Sequence, residues 1–110
     1  MTTKRTLSRE KSVEAEAFLN ELTGGSLTLA QTFSAIRLSE GWSQIEMGRR
    51  LGISRAHVCD VEKSRRLVSP DRAAKFARIL GYSETQFVRL ALQDLLKQLH
   101  LRMTVSVDAA

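Results

Sequence analysis

Apolar positions recur at helical spacing along most of the chain, and only at its end do they switch to strict alternation. Leu29, Phe33 and Ile36 share one helical face, as do Val58 and Val61 and, further on, Phe87, Leu90, Ala91 and Leu95. Such sets predict the core-facing stripes of short amphipathic helices. Residue type marks where those helices begin and end. Thr28-Leu29-Ala30-Gln31, Ser43-Gln44-Ile45-Glu46 and Ser83-Glu84-Thr85-Gln86 share one form: a hydroxyl accepts from a free backbone N–H, and the Glu or Gln three residues later returns the bond. Ser69-Pro70 is a further start, because proline at the first helical position gives up an N–H that has no partner there. Gly24-Gly25, Gly41, Gly52 and Gly81 supply the stops. The pattern predicts helices over residues 8–22, 29–40, 44–51, 55–63, 70–80 and 84–99.

At the end of the chain Leu101, Met103, Val105 and Val107 alternate with Arg102, Thr104, Ser106 and Asp108, the period of a half-buried strand. No second strand is predicted to pair with it. A lone strand leaves its ladder groups open, so this one is expected to pair with its copy in a homodimer or to extend another protein's sheet. The alternative is a frayed tail.

With 110 residues the chain fits one compact domain, and 43% hydrophobic against 26% charged residues favours a folded soluble protein over a disordered one. No apolar run is long enough to span a bilayer, and Met1-Thr2-Thr3-Lys4-Arg5 lacks the apolar stretch of a secretory signal, so a cytoplasmic protein is expected. Cys59 alone forms no internal disulfide, and with two histidines it is thin material for zinc; no metal and no cofactor are expected. His57 and Cys59 stand two apart on a helix and point to different faces, and there is no glycine-rich phosphate loop or serine elbow. Catalysis is not expected.

The net charge of +5 is unevenly spread. Arg37, Arg49, Arg50, Arg55, Lys63, Arg65, Arg66, Arg72, Lys75 and Arg78 outnumber the acids Glu40, Glu46, Asp60, Glu62 and Asp71 over residues 37–78, which accounts for the whole excess. A basic stretch of this density suits a polyanion, because each phosphate neutralised releases condensed counterions. The other reading is a solvated basic face.

Within that stretch two short helices meet at Leu51-Gly52-Ile53-Ser54, where Gly52 ends one and Ser54 opens the next. So short a turn sets the helices at a steep angle and leaves the start of the second free to enter a major groove. Gly48 lies inside the first helix, where a residue without a side chain costs about 1 kcal/mol unless close packing requires it. It is expected to mark the crossing point.

Ile36-Arg37-Leu38, Gly41-Trp42-Ser43-Gln44, Leu51-Gly52-Ile53-Ser54-Arg55, Val58 and Val61-Glu62-Lys63 together resemble the XRE family, which includes the lambda and Cro repressors. The resemblance spans roughly residues 29–80. It implies an all-α, five-helix DNA-binding domain. To this are added an N-terminal extension over residues 1–26 that carries the extra helix and a C-terminal helix and β-strand over 83–110, leaving 27–82 as the helix-turn-helix domain.

Carried over by position, the resemblance makes Ser54, Arg55, Ala56 and Asp60 base-facing and gives Gln44, beside the helix cap Ser43, the role of phosphate anchor. Arg55 can offer its planar fork to guanine, and Ala56 can touch a thymine methyl. A helix start also favours phosphate through its free N–H groups. Lys63, Arg65 and Arg66 follow as a knuckle suited to phosphates, while His57 reaches a base edge or a phosphate or is an ordinary exposed imidazole. Asp60 fits a DNA-facing helix only if it accepts from a cytosine amino group or from a cation such as Arg55 or Lys63. Ser64 departs from the family, which has glycine there, and leaves the turn into Arg65 open. Arg37 and Glu62 match a structural ion pair of the family.

The partners so implied are an inverted-repeat DNA operator and a second copy of the chain. The last helix and lone strand, together with residues 72–82, also look like helix-turn-helix antitoxins paired with small ribonuclease toxins. That resemblance implies an autoregulating repressor that also holds a toxin. The alternatives are a phage-type or restriction-modification controller, or a protein-interaction module that has lost its DNA role.

Overall fold

The computed structural model describes residues 27–110. These fold as five helices: α1 Leu29–Glu40, α2 Gln44–Leu51, α3 Arg55–Glu62, α4 Pro70–Leu80 and α5 Glu84–Gln98. Each agrees with its sequence expectation to within one residue at either end; the expected helix over 8–22 lies outside the described residues.

Local hydrogen bonds account for the starts. Thr28 accepts from the Gln31 backbone N–H while the Gln31 side chain accepts from that of Thr28, so α1 opens with a full reciprocal cap. Ser43 and Ser83 cap α2 and α5 only one way. Glu46 turns instead to Arg49 and Arg50 at 2.9 and 3.0 Å, and Gln86 accepts from Arg89 at 3.1 Å. Ser69 makes no side-chain cap, and α4 begins on Pro70.

One core joins the helices. Phe33 of α1, Met47 of α2, Val58 of α3, Phe76 of α4 and Phe87 of α5 are all at most 1% exposed, and the Phe33 and Phe76 rings meet at 5.8 Å. α4 lies chiefly on α5 and α2 on α3, with α1 bridging α3 and α5. Gly52 takes φ +73°, the left-handed conformation that ends α2 abruptly. Gly48 stands where α2 meets the turn: a Cβ there would lie 2.5 Å from the carbonyl oxygen of Ile53, whose N–H donates to the Gly48 carbonyl at 2.9 Å. The crossing expected at this residue is thus real. Gly48→Leu forces backbone apart rather than a flexible side chain, and should cost about 3 kcal/mol or more in urea denaturation. An unchanged midpoint would refute the crossing.

The end of the chain corrects the sequence reading. α5 closes through His100 at φ +57°, with the His100 and Leu101 N–H groups donating to Lys97 and Leu96. Residues beyond are extended, but no β-strand forms among the described residues. Among the described residues no second extended segment completes a ladder, and a side chain takes that place. Gln93 of α5 donates through Nε2 to the Met103 carbonyl at 2.8 Å and accepts from the Val105 N–H at 3.0 Å. The alternation serves this packing: Val105 and Val107 are half-buried, and Val107 shares a cleft with Tyr82 and Val88.

Candidate nucleic-acid interface

α3 is anchored on one side and open on the other. Val58 and Val61 are buried, while Ser54, Arg55, Ala56, Lys63, Arg65 and Arg66 are exposed and His57, Cys59 and Asp60 are half-buried. Ser54 caps the helix by accepting from the His57 N–H at 3.0 Å, which still leaves the hydroxyl able to donate.

Behind the open face runs a connected polar chain. Arg37 of α1 grips Glu62 through two bonds, Nε to Oε2 at 2.7 Å and Nη2 to Oε1 at 3.1 Å, and its third nitrogen donates to the Trp42 carbonyl at 3.0 Å. Gln44 donates to Glu62 at 3.2 Å and accepts from Arg55 at 3.3 Å. Gln44, expected as a phosphate anchor, thus has both ends of its amide hydrogen-bonded within the protein, one of them to Arg55. The α2 start itself, capped by Ser43, remains at the surface.

The partner of Asp60 is neither Arg55 nor Lys63. It is Arg65, at 3.4 Å, brought back by the turn that follows α3. Ser64 sits at the head of that turn with φ +58°, and the N–H groups of Ser64 and Arg65 donate to the Val61 and Asp60 carbonyls. Serine thus adopts the left-handed conformation for which glycine is suited, at a cost of about 1 kcal/mol.

Charge shapes the imidazole on this face. Burial, with Arg66 and Arg72 nearby, lowers the His57 pKa, and Asp60 opposes the fall only in part. At neutral pH the ring is uncharged, with one nitrogen to donate and one to accept. Arg72, at the start of α4, was not singled out from sequence as a site residue. It belongs to the basic stretch, but only the fold brings α4's first turn toward His57. A second cation left out of that reading, Arg50, lies 4.1 Å from the Trp42 ring centre and fixes the α1–α2 corner.

Comparisons with known proteins agree with this arrangement. A helix-turn-helix family profile matches residues 34–87, spanning α2, the turn and α3. A protein of Neisseria meningitidis serogroup B described as a hypothetical transcription factor is 35% identical over 80 residues, 73% of this chain and 71% of the relative. The crystal structure of hypothetical transcription factor NHTF from Neisseria aligns with a TM-score of 0.50 and 34% identity, covering 64% of this chain and 79% of that one. With its two helices meeting at Gly48 and this degree of likeness, the chain belongs to the XRE family of helix-turn-helix proteins.

Proposed function

We propose that the protein is a transcriptional repressor that binds an inverted-repeat operator as a homodimer, each protomer laying α3 in a major groove. Membership of the family makes the chain a DNA-binding transcriptional regulator, and the relative from Neisseria carries the description of a transcription factor. The observation that carries the finer reading is the exposed start of α3, where Arg55 is aimed by Gln44 and flanked by Lys63, Arg65 and Arg66. Bases are read by Ser54, Arg55, Ala56, His57 and Asp60, and phosphates are held by the α2 start at Ser43 and Gln44 and by the three cations after α3. Dimerisation through α5 and the tail is supported by the row of exposed apolar side chains Leu95, Leu99, Leu101 and Met103.

The antitoxin reading draws on the N-terminal extension, on residues 72–82 and on the last helix with a lone strand; the tail's bonds to Gln93 remove the last of these supports and leave the others. The repressor reading stands without it. Binding to the repeat upstream of the protein's own gene should weaken steeply with salt; a flat response would leave a protein-interaction module in its place. In the same assay Arg55→Ala should lose about 1–3 kcal/mol at particular base pairs, and Lys63→Ala should weaken all sequences alike. Loss of the same size on every sequence from both would deny Arg55 its reading role. A toxin partner or a phage-type controller shares this DNA reading and is distinguished by what copurifies with the chain.

A further inference from the structure

Between the start of α1, the loop after α3 and the last turns of α5 lies a cleft of about 570 Å³. That volume is within the span of about 300–1,000 Å³ usual for small-ligand sites. Its floor is apolar, formed by Leu29, Val61, Leu67 and Val68, with Leu67 still 42% exposed. Arg65, Arg66, Lys97 and Asp94 stand around it. Their charges do not cancel. Arg65 is occupied by Asp60, and Asp94 is turned to the Leu29 N–H at 3.4 Å. The Arg66 and Lys97 side chains make no hydrogen bond or ion pair among the described residues, so after Asp94 is set against one of them a single positive charge remains over an apolar surface.

We infer that this cleft binds a small organic monoanion with an apolar body, of the carboxylate class, and that the bound ligand releases DNA. Its charged end lies between Arg66 and Lys97 and its body against Leu67 and Val68. A carboxylate there draws Arg66 away from phosphate, and because Val61 belongs both to the cleft floor and to the buried side of α3, the occupied cleft presses on the helix that reads bases. The release half rests on the repressor reading given above. The binding half does not.

The test uses the full chain without DNA, titrated with octanoate and, as an uncharged analogue, octanamide, with amide NMR shifts as the readout. Octanoate should give saturable shifts clustered around Leu29, Leu67, Val68 and Lys97, and bind about tenfold more tightly than octanamide. Lys97→Ala, an exposed change that leaves the fold intact, should reduce octanoate to the level of octanamide. Shifts that do not saturate, that scatter over the surface, or that ignore Lys97→Ala overturn the site. Operator affinity measured at an octanoate concentration just sufficient to saturate the parent chain should fall about tenfold in the parent and clearly less in Lys97→Ala; constant affinity in both overturns the release half. A chain that takes up octanoate here but binds no DNA sinks the repressor reading alone, and DNA binding with no octanoate shifts removes the ligand site alone.

Discussion

Glu62→Ala should destabilise the protein by about 3–5 kcal/mol, a large part of the roughly 5–15 kcal/mol that holds a small domain together. The Arg37 and Glu62 side chains are only 16% and 7% exposed, and the guanidinium faces the carboxylate with two nitrogens. Removing one partner leaves the other's charge buried and unmatched, unlike loss of a solvent-exposed pair. Arg37→Ala should cost a similar amount and also strip the Trp42 carbonyl of its donor. Urea denaturation of both variants decides the matter; costs below about 1 kcal/mol would mean that the pair behaves as a surface one.

The same pair sets the response to acid. Burial pushes the Glu62 carboxyl up, but hydrogen bonds from Arg37 and Gln44, the Arg37 charge and a hydrogen bond from Ser34 outweigh it, so its pKa falls below the ordinary carboxylate value. Arg37 is correspondingly raised, chiefly by its bond to Glu62. A carboxyl depressed in the folded state stabilises fully above its unfolded pKa, and that contribution is lost as pH falls through the folded one. Asp94 works in the opposite sense. Burial raises it, against the Leu29 N–H and Lys97, so the folded state takes up its proton first and gains stability there. On acidification a gain from Asp94 should precede the loss from Glu62. Asp94→Asn should abolish the first step and Glu62→Gln should flatten the second.

What could be read from sequence divides by the range of the interaction responsible. Helix starts at Thr28, Ser43, Ser54 and Ser83 are set by bonds three residues long, and these were legible. Gly48 was legible for a different reason: a glycine inside a helix has a cost that only a close contact offsets. The tail misled because period-2 alternation reports one buried side and not what buries it. Here α5 does so, through Gln93, and no strand is needed. The relay from Glu62 through Gln44 to Arg55, and the approach of Arg72 to His57, join residues far apart in sequence. No local spacing signals either, so the sequence alone shows neither the bonds of Gln44 to Glu62 and Arg55 nor the place of Arg72 beside His57.

Replacing Lys63, Arg65 and Arg66 together by alanine should lower operator affinity by about a hundredfold or more at low salt and reduce the slope of log affinity against log salt by about 2 to 3. Stability should stay within about 0.5 kcal/mol, because all three side chains are exposed. The three should not contribute equally. Arg65 shares its charge with Asp60 at 3.4 Å, so Arg65→Ala removes a phosphate contact and also exposes an unneutralised carboxylate on the reading helix. Its loss should exceed that of Lys63→Ala, and Asp60→Asn should restore most of the difference in the double variant. If Asp60 instead accepts from a cytosine amino group, Asp60→Asn will weaken binding at that base pair in the otherwise unchanged chain, and the restoration will fail. Salt titrations on matched and single-base-changed operators separate the two, because a base contact changes affinity at one position whereas the Asp60–Arg65 pair acts on every sequence through the same phosphates.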